Sequence, residues 1–237
     1  MILHSNSIDL VIFDCDGVLI DSEVISAQVI VDMLALEGVL IDLDYVYTHF
    51  LGRPFSCVGQ IVMQEFSVDL PESFESNYRQ ELLLAYKKGL RTTDGVKEVL
   101  SNLGVASCVV TSSSRLRTKG ALQLVELTDF FADNIFTASD VTHGKPAPDL
   151  FLLASQRMQV EPKNCLVIED SLIGISAAVA ADMNVWRYTG ARHFISTAID
   201  VVDQFPHVTV FNDWRNFFQM APDLQKLNMA VGDQNDY

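Results

Sequence analysis

The 237 residues are 49% hydrophobic, enough to bury a sizeable core, and carry 31 acidic against 16 basic side chains for a net charge of −15. So acidic a chain argues against binding that depends on neutralising nucleic-acid phosphates. Its apolar runs, such as those at 10–13 and 177–181, fall far short of the roughly 20 residues that cross a bilayer, so neither a nucleic-acid partner nor a membrane span is expected.

The residues before Ile8 lack the charged and apolar segments of a leader peptide, which favours a cytoplasmic protein. Residues 8–13 form a nearly continuous β-branched and aromatic run, the pattern of a strand buried on both faces of a parallel sheet. Residues 21–90 contain no comparable run, and helical patterns follow one another there. Asp21 or Ser22 is expected to cap a helix running toward Glu37, with Gly38 just beyond it, while Pro71 precedes a long pattern closed by Gly89. The segment His49-Phe50-Leu51-Gly52-Arg53-Pro54-Phe55-Ser56 interrupts two of these patterns.

Further strand-like runs lie at 107–111, 134–137, 165–168 and 184–188, with a sixth at 208–211. Helical segments separate them: one from Val96 closed by Gly104, one opened by Ala147-Pro148-Asp149, and one with Ser171 placed to cap it. The alternation predicts an α/β fold, a doubly wound parallel sheet with a Rossmann-like core and a helical cap domain inserted after the first strand. The expected division is a core of residues 1–20 and 91–237 and a cap of residues 21–90. Cys15, Cys57, Cys108 and Cys165 form no C-x-x-C pair and read as reduced, mostly core residues, and the polar stretch 231–237 is given no function.

In such a sheet ligands bind beyond the carboxyl ends of the strands, and four polar groups fall there. Asp14-Cys15-Asp16-Gly17 follows the first strand, so two carboxylates emerge together and call for a hard cation such as Mg²⁺. Thr111-Ser112-Ser113-Ser114 ends the second and opens a helix near Arg115, bringing hydroxyls and backbone N–H groups toward an anion. Gly144-Lys145-Pro146 holds a lysine in a rigid loop, and Glu169-Asp170-Ser171 places another acidic pair after a later strand. Each has a plainer alternative: an acidic turn, a polar helix cap, a surface lysine and an acidic cap. Their order and common position at strand ends make a functional set the better reading.

Together with Val18-Leu19-Ile20-Asp21-Ser22-Glu23, these motifs closely resemble the four motifs of haloacid dehalogenase-like hydrolases, and the resemblance spans almost the whole chain. The insert is similar to the cap of the branch that holds β-phosphoglucomutase and small sugar-phosphate phosphatases. The resemblance implies a Mg²⁺-dependent phosphatase acting on a small phosphorylated metabolite, a sugar phosphate or phosphorylated sugar acid, with no statement about oligomeric state. It implies Asp14 as nucleophile, Asp16 as general acid and base, Thr111, Ser112 and Lys145 as phosphate ligands, and Lys145 as stabiliser of the nucleophile. Asp14, the backbone carbonyl of Asp16, Glu169 and Asp170 are the implied metal ligands, with Glu169 either direct or through water, and Gly52 and Arg53 the implied specificity residues of the cap. A phosphosugar mutase and a non-enzymatic sensor of phosphorylated ligands are the competing expectations. Ser26 stands where mutases of the branch carry a cap histidine, which favours hydrolysis.

Overall fold

The computed structural model describes residues 7–50, 55–195 and 204–226. Strands β1 (Leu10–Phe13), β2 (Ala106–Thr111), β3 (Ile135–Thr137), β4 (Cys165–Glu169), β5 (Asn184–Tyr188) and β6 (Thr209–Phe211) form one sheet in the order β3-β2-β1-β4-β5-β6. Every pairing is parallel, with Phe13 level with Val109 on one side and Ile168 on the other. All six expected strands are present, within two residues of the ends read from the sequence.

The helices are α1 (Glu23–Leu36), α2 (Leu43–His49), α3 (Ser56–Phe66), α4 (Phe74–Gly89), α5 (Val96–Asn102), α6 (Arg115–Leu124), α7 (Thr128–Phe131), α8 (Asp149–Met158), α9 (Leu172–Ala180) and α10 (Phe217–Met220). Alternate strand residues face two cores. Val11, Phe13, Val109, Leu166 and Ile168 meet Phe131, Trp214 and Phe217 on one side, while Leu10, Ile12, Cys108, Val110 and Val167 meet Phe151, Ile175 and Ala178 on the other. This two-sided burial explains why the strands read as unbroken apolar runs rather than as alternation. All four cysteines are free, with Cys15, Cys108 and Cys165 buried.

Helices α1 to α4 fall between β1 and β2 and have a core of their own, in which Ala27, Ile30 and Leu34 of α1 meet Val46, Val58, Val62 and Phe74. Ile25 and Val29, on another side of α1, pack against the sheet's core instead. Full burial of a side chain such as Leu34 stabilises by about 1.5–3 kcal/mol, so α1 is held from two directions. The chain returns from this layer beside its exit: Asp21 N–H donates to the Arg91 carbonyl at 3.0 Å and Thr93 N–H to the Leu19 carbonyl at 3.1 Å. Thr93 in turn donates to the Val18 carbonyl and accepts from Trp214 Nε1, which anchors the loop after β1 to the core.

One local expectation is corrected. Neither Asp21 nor Ser22 caps α1 through its side chain: the residue flanking the helix is Ser22, but its hydroxyl donates to Asp16 at 2.6 Å. Asp21 is drawn into an ion pair with Arg192. Ser171, by contrast, caps α9 by accepting from Gly174 N–H at 3.1 Å.

Candidate active site

β1, β2 and β4 are adjacent, and the chain leaves β1 in the middle, at the point where the strand order turns from one direction to the other. Asp14 follows β1, Thr111 ends β2, and Glu169 and Asp170 end and follow β4. Asp14 N–H donates to the Ile168 carbonyl at 2.9 Å, continuing the β1–β4 ladder by one bond and fixing the direction of its side chain. Gly17 lies at φ +78°, and a Cβ there would overlap the Asp170 carboxylate, so glycine is what lets the β1 loop and the β4 loop approach.

Lys145 enters this cleft from the loop before α8. Its Nζ donates to Asp14 Oδ1 at 2.6 Å, to Glu169 Oε1 at 2.8 Å and to the Val110 carbonyl at 3.0 Å, which uses all three ammonium hydrogens. Glu169 Oε2 accepts from the Asp170 and Ser171 N–H groups, both at 2.8 Å, and from the Ser171 hydroxyl at 2.9 Å. The Lys145 and Glu169 side chains are 2% and 1% exposed. Burial alone lowers the affinity of an ammonium for its proton, but Asp14 and Glu169 outweigh it and hold Lys145 above the usual lysine range. Gly174 makes room for this arrangement, since a Cβ there would overlap the Glu169 carboxylate.

Asp16 lies on the other side of Asp14 in the loop. It accepts from the Ser22 hydroxyl at 2.6 Å and the Ser113 hydroxyl at 2.7 Å, and it is ion-paired with Arg117 from the first turn of α6. Burial pushes its carboxyl up, yet the Arg117 charge and the three side-chain hydrogen bonds prevail and hold it below the ordinary carboxylate range. Burial pushes Asp14 up, opposed by Lys145, and pushes Asp170 up with help from Glu169. His193 is buried with Nε2 3.5 Å from Asp170 Oδ2, and burial lowers its affinity for a proton.

Four carboxylates, Asp14, Asp16, Glu169 and Asp170, thus gather around two cations, Lys145 and Arg117, and two negative charges are left over. Among the described residues no three His, Cys, Asp or Glu side chains form a self-sufficient metal cage. Mg²⁺ takes one or two carboxylates and leaves its other positions to substrate phosphate and water, so its fit depends on which carboxylates keep free oxygens. Asp14 and Asp170 are the carboxylates with oxygens to spare, and the Asp16 carbonyl belongs to the same loop. Both oxygens of Glu169 are already hydrogen-bonded, which ties it to Lys145 and to the start of α9.

The sequence-expected residues Asp14, Asp16, Lys145, Glu169 and Asp170 therefore meet at one place. Thr111 is buried and accepts from Ser113 N–H at 3.1 Å, and Ser112 is exposed at the mouth of the same loop. Gly52 and Arg53 lie outside the described residues. Ser22, Ser113, Arg117, Glu23 and His193 belong to the surroundings of the site and were given no role in it from the sequence, although Ser22, Glu23 and Ser113 stand within the quoted motifs. For Ser113 the signal was present in the run of hydroxyl residues after β2. For Arg117, four residues farther along, only the first-turn position of a cation next to an acidic loop offered a hint.

A model of the haloacid dehalogenase-like hydrolases matches residues 8–182. The chain is 29% identical over 203 residues to a 6-phosphogluconate phosphatase of Escherichia coli, covering 85% of this chain and 92% of the relative. It is 32% identical over 177 residues to a fructose-1-phosphate phosphatase of the same organism, covering 73% and 92%. A haloacid dehalogenase-like protein from Agrobacterium tumefaciens superposes with a TM-score of 0.81 at 33% identity, covering 92% of this chain and 99% of that one. A hydrolase of the same family from Deinococcus radiodurans, crystallised with bound phosphate and sodium, superposes with a TM-score of 0.78 at 30% identity over 92% and 97% of the two chains.

Proposed function

The chain belongs to the haloacid dehalogenase-like hydrolases, and we propose that it is a phosphatase of small phosphorylated metabolites in which Asp14 is the nucleophile. The observation that carries this reading is the pair of carboxylates two residues apart in opposite settings. Asp14 is held by the Lys145 ammonium in the deepest part of the cleft, while Asp16 is hydrogen-bonded beside it at the seam between the sheet and the α1–α4 layer. The relatives named for 6-phosphogluconate and fructose 1-phosphate support a phosphorylated sugar or sugar acid as the substrate class. Residues 21–90 are taken as the cap that covers it.

In the first step an Asp14 oxygen forms a bond to phosphorus as the ester P–O bond breaks, and Asp16, ionised in the ligand-free site and taking up a proton as the ester binds, gives that proton to the departing alkoxide. In the second, Asp16 takes a proton from water as that water attacks phosphorus and Asp14 leaves. Lys145 keeps the nucleophile oriented and offsets the repulsion between carboxylate and phosphate, with Glu169 holding the ammonium from behind. Thr111, Ser112 and the N–H groups that follow are the phosphate ligands of the proposal. Bound between Asp14, Asp170 and the Asp16 carbonyl, Mg²⁺ would supply Lewis-acid charge compensation for the phosphoryl oxygens. Ser26, where a mutase of this branch would carry an imidazole, instead approaches the Tyr86 hydroxyl at 3.5 Å, which favours water as acceptor.

The test is phosphate release from a panel of phosphorylated sugars and sugar acids with Mg²⁺ or EDTA. Release that requires Mg²⁺ and disappears in Asp14→Asn is the expected result. Undiminished turnover by a folded Asp14→Asn protein removes the mechanism.

A further inference from the structure

Beside Asp16, on the side away from Lys145, α1, α4 and α6 converge and bring together Glu23, Ser26, Tyr78, Tyr86 and Arg117. In the proposed reaction Asp16 protonates the leaving oxygen, so the alcohol part of the ester has to lie against these residues. Arg117 spends only Nη2 on Asp16, and its guanidinium lies 5.7 Å from the Tyr86 ring centroid, so most of its five N–H donors remain for a ligand. Glu23 is the complementary group. It is half-buried in the first turn of α1, and no side chain of the described residues donates a hydrogen bond to it. The charges it feels most are those of Asp16, His193, Asp170 and Arg117. Partly exposed and without a side-chain donor in the ligand-free site, its carboxyl group is open to a hydrogen bond from a ligand.

A carboxylate on the substrate fits this place poorly, because it would enter a region already holding Glu23, Asp16 and Asp170 against the single positive charge of Arg117 among these groups. Neutral hydroxyl groups satisfy both sides at once: one donates to Glu23 while its neighbour accepts from Arg117, with the Ser26 and Tyr86 hydroxyls able to do either.

Resting on the phosphatase reading, we propose that Glu23 and Arg117 form a subsite for neighbouring hydroxyl groups of the substrate's alcohol, so that the protein selects phosphate esters of uncharged sugars or polyols over those carrying a carboxylate. The full chain with Mg²⁺ is assayed on three probes: a hexose 6-phosphate, the matching 6-phosphohexonate and n-hexyl phosphate, whose primary alkoxide needs a proton as the sugar's does but which carries no hydroxyl group. The wild-type protein should prefer the hexose ester to the hexonate by about 10-fold or more in kcat/KM. Arg117→Gln disturbs Asp16, and because both leaving groups are primary alkoxides that common factor cancels in the hexose-to-hexyl ratio. This ratio should fall about 30-fold in Arg117→Gln, the size expected for a charge-assisted hydrogen bond. Glu23→Gln should lower that ratio about 10-fold, again the loss expected for such a bond, and should narrow the discrimination against the hexonate. Glu23→Asp and Arg117→Lys, which keep the charge but shorten the reach or remove the fork, provide the same ratios if a glutamine variant does not fold. A wild-type preference for the hexonate, or equal losses on hexose and hexyl esters, overturns the subsite while leaving the phosphatase standing. Absence of phosphate release from all three probes instead removes the reading on which the subsite rests.

Discussion

Replacing Lys145 by methionine isolates what its ammonium contributes. The thioether chain keeps most of the volume beside the Phe151 ring, whose centroid is 4.9 Å from Nζ, but removes the donor to Asp14, Glu169 and Val110. Asp14 and Glu169 then share a site almost closed to water with no cation between them. The least costly escape is for one of them to take up a proton. For a carboxyl with an unfolded pKa near 4 this costs about 1.4 kcal/mol per pH unit above that value, hence roughly 4 kcal/mol at pH 7 and about 1.4 at pH 5. That agrees with the roughly 3–5 kcal/mol observed generally when one partner of a buried pair is deleted. Urea denaturation in EDTA at the two pH values measures it. The variant should lose far more stability at pH 7 than at pH 5, because the protonated carboxyl's contribution is present at low pH and lost as pH rises. The double variant Lys145→Met/Glu169→Gln should regain part of the loss at pH 7. A loss under about 1 kcal/mol, or one that does not change with pH, refutes the claim that Lys145 compensates two buried charges.

Gly174→Ala forces a methyl group into the Glu169 carboxylate and should displace Lys145 indirectly, so that activity and stability fall together although residue 174 touches no substrate; near-normal turnover with an unchanged urea midpoint contradicts this. Asp16→Asn removes both the acid and the base of the proposed cycle. With p-nitrophenyl phosphate, whose leaving group needs no proton, it should release about one equivalent of nitrophenol in a burst and then stall, whereas steady wild-type-like release speaks against a second step served by Asp16. Glu23 is pushed up to about 7, first by burial and then by Asp16, from a value near 4.3 in the unfolded chain. Its neutral form therefore stabilises fully below about pH 4, and the contribution is lost as pH rises through 7. Glu23→Gln in EDTA should match the wild type at about pH 4 and exceed it in urea midpoint at pH 8, and an equal difference at both pH values counts against the raised Glu23.

The strands were legible because parallel strands covered on both faces must be apolar throughout, and Leu10, Val11, Ile12 and Phe13 satisfy that without help from distant residues. The residues at their carboxyl ends were legible for the same reason, since a polar group directly after such a run has nowhere to go but the end of the sheet. What sequence left hidden depends on contacts between distant segments. Ser22 is a plausible cap by local chemistry, but its hydroxyl donates to the charged Asp16 at 2.6 Å, and in that orientation its oxygen accepts no N–H of the helix. Arg117 and Glu23 are 94 positions apart, and only the packing of α1 and α4 with α4 and α6 makes them neighbours of one carboxylate. No period or motif carries that information.

A chain with a net charge of −15 that handles phosphate esters needs its positive charge concentrated where the substrate meets it. The two cations of the site are used differently. Lys145 is locked by three acceptors, Asp14 among them, so it is a fixed charge whatever the alcohol. Arg117 is tied through one nitrogen and borders the α1–α4 layer, so it is free to report on what the alcohol offers. The proposal thereby gives catalysis and selection to separate cations. In consequence, substitutions at Lys145 should scale the rates on all substrates by one factor, while substitutions at Arg117 should reorder them.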